Sequence, residues 1–316
     1  MASNGPPTFS ERVESIVEPG KLLVGSAYQF TVVLLETVFR RGEVLAPIFR
    51  LQQVRDEAFS RFWINISGAR DPVEAPRVGS SALIPPLLAT ADGIVLDIGP
   101  GTGTQTPLFT NSNLIRMYGA EPCQGLHKDL MAKIEACGLD GKYQILPCSA
   151  ERKELYPALG REGLLADTEA WVMRGEEVGG LVQRGQGVFD TIVCVRVLCS
   201  VPDQRGTVRG LYDLLKPGGK LVVCEHVRNG WSICCGRMRG REGASIVARF
   251  MQVVYTLLGW EFFMGDCHLN RDTERVLREV AEEAGDGGWE KVDVQRWFEW
   301  SVLPYVAGTL VKRRDG

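Results

Sequence analysis

Apolar positions along this chain change their period twice. From Leu22 to Phe39 they form a nearly continuous run, broken by Gln29 and Glu36 and closed by Arg40-Arg41. Such a run is about the shortest that can span a bilayer, and Glu36 lies near one end, where a charge costs less than at the centre. Two readings follow: a buried helix capping a pocket, which the interruptions favour, and a membrane-surface or anchoring helix. From Phe49 to Ile66 the positions Val54, Ala58, Phe59, Phe62, Trp63 and Ile66 recur on one helical face, so this amphipathic helix must bury against a partner. Residues 1–80 therefore read as a helical cap or membrane-associating segment.

Beyond residue 80 short apolar runs alternate with helical patterns. Strands are expected at Ile94 to Asp97, Ile115 to Glu121, Tyr143 to Cys148, Phe189 to Val197 and Lys220 to His226. Helices are expected after the first strand, over Gln124 to Cys137 and over Asp203 to Leu215, the last stopped by Lys216-Pro217-Gly218-Gly219. A further helix and a final strand pair complete the chain. Strands alternating with helices imply a mostly parallel sheet of seven strands covered on both faces, and their near-continuous apolar character agrees. Residues 152–187 break the rhythm with many glycines and charges. They read as a surface insertion anchored by Trp171 within one domain spanning 81–316.

Composition narrows the function classes. Lys and Arg total 36 against 39 Asp and Glu, a net charge of −3, with no basic cluster of the kind nucleic acid needs. The nine cysteines show no C-x-x-C pair and no paired Cys/His spacing, so no metal is expected. Cys194, Cys199 and Cys224 read as packed small hydrophobes, and Cys234-Cys235 as a loop pair without redox role. The start of the chain lacks the pattern of a secretory leader. A cytoplasmic protein is expected, with peripheral association of residues 22–39 with the cytosolic face of an intracellular membrane as the alternative to a pocket cap.

The chemistry centres on Asp97-Ile98-Gly99-Pro100-Gly101-Thr102-Gly103. Glycines after a strand let the backbone turn sharply and approach a ligand closely, and a following helix would aim its amide groups at that ligand. The spacing is G-x-G-x-G, not the dinucleotide G-x-G-x-x-G, and no Lys-Ser/Thr pair makes it a phosphate loop. Glu121, about twenty residues on, suits the two hydroxyls of a ribose. Cys148-Ser149-Ala150-Glu151, at the third strand end, suits contacts to an adenine ring.

Val95 to Gly103 resembles motif I of class I S-adenosylmethionine (SAM)-dependent methyltransferases, and Leu215 to Leu221 resembles the helix-to-strand turn of the same class. Val197-Leu198-Cys199-Ser200-Val201, Glu225-His226-Val227 and Gly265 to Arg271 resemble the methyltransferase-like-seven group, membrane-associated enzymes that methylate alkyl thiols. The chain is also similar to fungal enzymes that O-methylate polyketide-type natural products. The resemblance implies a Rossmann-like α/β fold and SAM as cofactor. It implies that Asp97, Gly99, Gly101 and Gly103 hold the methionine part, Glu121 the ribose, Ser149 and Ala150 the adenine border, and that Arg196 lies near the sulfonium.

Methyl transfer from a sulfonium is an in-line displacement that asks mainly for alignment and a dry site. A thiol acceptor is partly ionised at neutral pH, whereas a phenol is much less so and gains more from a general base. His226, ending the fifth strand, and His268 are the candidate catalytic imidazoles; His127 is expected in solvent, and Cys267 is expected to pack. The two imidazoles, and the extra surface at 152–187, incline the reading to a hydroxyl, an enol or phenol on a small hydrophobic secondary metabolite. S-methylation of alkyl thiols is the first alternative. A silent SAM-binding protein is the second, and an NAD-dependent oxidoreductase is disfavoured by the glycine spacing.

Overall fold

In a computed structural model the structure describes residues 6–70, 76–165, 187–234 and 237–314. The chain opens with helix α1 (Phe9–Leu35), capped by Thr8, whose hydroxyl accepts from the Glu11 amide while the Glu11 carboxylate takes the Thr8 amide. This reciprocal pair satisfies two orphan donors of the first turn. The helix ends in a π-helical turn, Glu36–Arg40. It begins earlier than the apolar run suggests, and over Phe9–Arg40 it is long and apolar enough to cross a membrane by length and composition. A short α2 (Ala46–Phe49) leads into α3 (Leu51–Arg70), which packs along α1. Val54, Ala58 and Phe62 are buried, as the helical spacing requires.

The body is one sheet. Its strands are β1 (Gly93–Ile98), β2 (Leu114–Ala120), β3 (Tyr143–Leu146), β4 (Phe189–Val195), β5 (Leu215–His226), β8 (Trp289–Trp297) and β9 (Tyr305–Lys312). Their order is β3-β2-β1-β4-β5-β9-β8. The first five are parallel, and β9 inserts antiparallel between β5 and β8. A small hairpin, β6 (Ser232–Cys234) with β7 (Arg237–Arg239), stands apart. Among the described residues, helices α4 (Ile84–Leu88), α5 (His127–Ala136), α6 (Arg152–Arg161), α7 (Gln204–Leu214), α8 (Ile246–Leu257), α9 (Trp260–Phe263) and α10 (Thr273–Glu282) accompany the sheet. This is the expected Rossmann-like class I methyltransferase architecture, with seven strands and a helical N-terminal cap.

Alternation within the central strands builds two cores. Leu96 and Ile98 of β1, Ile192 and Cys194 of β4, and Leu221 and Val223 of β5 pack into one layer. Val95, Val193, Val222 and Cys224 enter the layer on the opposite face. Both faces are apolar because both are covered, as parallel sheets demand. A third cluster joins Leu23 and Phe62 of the cap to Tyr255, Trp260 and Met264. Arg55 fastens this roof: its guanidinium donates to the Phe262 and Glu261 carbonyls, pairs with Asp266, and lies 4.7 Å from the Phe262 ring centroid.

Two expectations change. Residues 152–161 are not a surface excursion: Leu155, Tyr156 and Leu159 of α6 are buried in the main core, because they fall on one helical face. Residues 166–186 of that segment, with Trp171, lie outside the described residues, as does Cys235. The glycine loop is followed by a single 3-10 turn, Thr106–Leu108, and not by an α-helix. Pro107 and the few residues before β2 leave no room for a longer one. The loop's own amides, not a helix terminus, are therefore what it offers a ligand.

Candidate functional site

The β1–β4 neighbourhood is where the sheet order reverses direction, and open sheets of this class leave a crevice there at the carboxyl ends of the strands. A cavity of about 420 Å³ occupies it, within the range of small-molecule sites. Asp97 to Gly101, Glu121, Ser149 to Glu151, Arg196 and His226 border it from the sheet side. Phe59 and Trp63 of α3, Leu22 of α1, and Trp260 and Met264 close it from above. Phe59 and Trp63 stack with ring centroids 5.8 Å apart.

Gly99, Gly101 and Gly103 have φ of 63°, 61° and 74°, a region that L side chains rarely adopt. Space excludes side chains as well. A Cβ on Gly99 would come within 2.7 Å of Val197, and one on Gly101 within 3.1 Å of the Trp63 indole nitrogen. Gly103 differs in role: its Cβ would meet Leu130 and Lys133 of α5, and it does not border the cavity. Thr104 and Gln105 border the cavity in its place.

Two carboxylates give the site its charge. Glu121, 5% exposed, accepts from the Gly101 amide through Oε2 and from the Cys123 amide through Oε1, each at 2.9 Å. One side chain thus ties the glycine loop to the end of β2. Burial raises its pKa, and the two amides oppose that rise. Asp97, 6% exposed, accepts from the Tyr143 hydroxyl at 2.9 Å. Burial pushes its carboxyl up to about 7, against the Tyr143 hydrogen bond and with help from the neighbouring Glu121 charge. Two buried acids beside a backbone cradle suit a ligand carrying positive charge and ribose hydroxyls. The donor and acceptor set fits SAM.

The remaining predicted residues divide. Ser149 and Ala150 border the cavity at the end of the third strand. Arg196 also borders it, at the strained φ of 58°, yet its guanidinium reaches the Ser80 and Ser81 hydroxyls. His226 ends β5 in the cavity wall with Nε2 3.1 Å from Cys267 Sγ. His268 lies elsewhere: it is not a wall residue, and its Nδ1 pairs with Glu261 at 2.9 Å. His127 is not a free solvent group, since its Nε2 contacts the Glu121 carbonyl at 2.8 Å.

Sequence spacing did not indicate what joins His226. Cys199, in the loop after β4, and Cys267, after α9, meet it as a buried trio whose sulfur and nitrogen atoms all lie within 4.8 Å of one another. The Cys199 S–H holds the Cys267 pKa below the usual thiol value despite burial, and the Trp260 indole adds to this. Cys199 moves the other way, held protonated by Cys267 and by burial. Beneath them Glu225, buried in β5, accepts from the Val197 and Leu198 amides, and burial raises it to about 7.

The family described as "Methyltransferase domain" matches residues 78–286. A thiol S-methyltransferase of Rattus norvegicus is 28% identical over 131 residues, 41% of this chain and 46% of the relative. A ubiquinone biosynthesis O-methyltransferase of Xanthomonas euvesicatoria is 38% identical over 73 residues, 22% of this chain and 30% of that one. The chain thus spans less than half the length of the relatives it matches. Among solved structures, an O-methyltransferase family protein from Burkholderia thailandensis superposes with a TM-score of 0.45 at 14% identity, over 96% of this chain and 72% of that one.

Proposed function

This chain belongs to the methyltransferase-domain family, with S-adenosylmethionine as its cofactor, and from that premise we propose that it methylates the sulfur of a small apolar thiol. One observation carries the choice of sulfur. The acceptor side of the cavity is aromatic and sulfur-rich, with Trp260, Met264, Cys199 and Cys267 around the one histidine of its described wall. That histidine is held against a thiol, and the second imidazole on which a hydroxyl acceptor was expected to draw lies outside the wall. A thiol ionises readily enough to need no strong base, whereas a phenol does not. The likeness to thiol S-methyltransferases points the same way.

In this reading Glu121 takes the ribose hydroxyls, the Gly99 to Gly101 backbone and Asp97 take the methionine end, and Ser149 and Ala150 border the adenine. The bound sulfonium supplies a methyl carbon whose departing thioether needs no further activation. Phe59, Trp63 and Trp260 exclude water and hold the acceptor in line. A hydroxyl acceptor with His226 as its base is the second reading, supported by the position of that imidazole in the wall.

We add a membrane-surface association to the proposal. Val24, Tyr28, Leu35 and Phe39 of the first helix, and Phe250 and Leu257 of α8, are apolar and exposed, and exposed apolar side chains of this kind suit contact with a membrane surface.

The test is a substrate comparison. With SAM, wild-type protein should methylate hexanethiol at least tenfold faster than a matched phenol, and His268→Ala should change the thiol rate less than threefold. A phenol ether product with no thioether, lost about a hundredfold in His226→Ala, the usual scale of base assistance, would establish the oxygen reading instead.

A further inference from the structure

We propose that Cys199, His226 and Cys267 form a three-ligand site for a thiophilic divalent cation of the zinc class, with its fourth position open to the cavity. All three side chains are buried, and their ligand atoms lie within 4.8 Å of one another. Each also borders the cavity. A tetrahedral zinc ion spaces its sulfur ligands about 3.8 Å apart and its sulfur and nitrogen ligands about 3.5 Å apart, from bond lengths near 2.3 and 2.0 Å. The observed 3.1 Å between His226 Nε2 and Cys267 Sγ needs only a few tenths of an ångström of opening.

The donor chemistry selects the ion. Two sulfurs and an imidazole, with no carboxylate in the group, suit zinc-class metals and not magnesium or calcium. Two thiolates and a dication sum to zero, so the filled site carries no net charge into a buried place, whereas two bare thiolates would be costly there. The backbone supports the arrangement too. The His268 amide donates to the Cys199 carbonyl at 2.9 Å, so the two cysteine loops are stitched together. Arg271 braces the same loop by donating to the Leu198 carbonyl at 2.8 Å.

Three protein ligands with an open position are the mark of a reactive site and not of a purely structural one. Resting on the thiol reading above, the acceptor occupies that position. Its S–H proton leaves to solvent, and its sulfur lone pair forms the new S–CH₃ bond as the cofactor's S–CH₃ bond breaks. The breaking bond's electrons stay on the departing thioether. The neutral product is a weaker ligand than a thiolate and leaves, returning the site to its starting charge.

The experiment uses the full chain, reduced and reconstituted with Zn²⁺ or Co²⁺. The expected result is one tightly held metal per chain. The Co²⁺ form should show thiolate-to-metal charge transfer and intense tetrahedral d–d bands, and the charge transfer should grow when hexanethiol is added. X-ray absorption of the zinc form should give two sulfurs at about 2.3 Å and a nitrogen at about 2.0 Å, a measurement that needs no variant. Cys267→Ser and Cys199→Ser should each weaken metal binding at least a hundredfold while calorimetric SAM affinity stays within about threefold. No stoichiometric binding by the wild type, a shell without sulfur, or a Cys267→Ser variant that binds metal as the wild type does would overturn the site. A bound metal whose spectrum ignores hexanethiol, in a protein that methylates no thiol, would overturn the acceptor role and leave the metal site standing.

Discussion

Replacing Asp97 by asparagine tests the electrostatics of the cavity most directly. The carboxyl titrates at about 7 in the folded protein, against 3.8 ordinarily, chiefly because it is buried. A raised carboxyl pKa means that the native state holds the proton more tightly than the unfolded state. Its stabilising contribution is therefore complete below about 3.8 and is lost as pH rises through about 7. A shift of roughly three units corresponds to about 4 kcal/mol in full, of which about 2 kcal/mol disappears between pH 5.5 and 8. Asparagine keeps the shape and can accept from Tyr143, but it cannot ionise. Ligand-free Asp97→Asn should thus gain on the wild type by about 2 kcal/mol across that window, measured by denaturant unfolding at both pH values. Glu225 adds its own pH slope, but it does so in both proteins and cancels from the difference. SAM binding should move oppositely, since a cationic ligand prefers the ionised acid. The ratio of wild-type to variant affinity should rise more than tenfold from pH 5.5 to 8. A stability gap and an affinity ratio that both stay flat across this range would refute the assignment of a buried, proton-holding acid at the cofactor end.

Two further outcomes probe the loop. Gly101→Val should abolish measurable SAM binding by calorimetry while the far-ultraviolet circular dichroism stays native, because φ is 61° and the new Cβ would press on Trp63. Glu121→Ala should weaken SAM by about 1–3 kcal/mol, the scale of a lost charge-assisted hydrogen bond. It should also speed amide hydrogen exchange at Gly101 and Cys123, which lose their acceptor.

The strand-end residues Asp97, Glu121, Ser149 and Ala150 were legible because each follows an apolar run, and parallel strands deliver their carboxyl ends to one edge. The helical face of α3 was legible as a face, but periodicity does not name its partner, so Trp63 above Gly101 was not foreseen. The segment after the glycine loop departs from the expected helix, since a local proline and a short connection override the usual continuation. The sulfur–imidazole trio was invisible for a topological reason. Its members come from the ends of β4, β5 and α9, and no spacing along the chain encodes their meeting. His268 illustrates the reverse error: adjacent to Cys267 in sequence, it contributes its backbone amide to Cys199 and turns its ring toward Glu261.

The double use of Glu121 bears on cofactor engineering. One carboxylate shapes the glycine loop through the Gly101 amide and also faces the cavity. Trimming it to admit a ribose-modified analogue would loosen the opposite end of the pocket at the same stroke, so an orthogonal enzyme–cofactor pair is poorly served by that route. Analogues altered at the transferred alkyl group, such as allyl or propargyl sulfonium, would leave the carboxylate alone. They would probe instead the aromatic wall formed by Phe59, Trp63 and Trp260, where smaller side chains could open room without disturbing the loop.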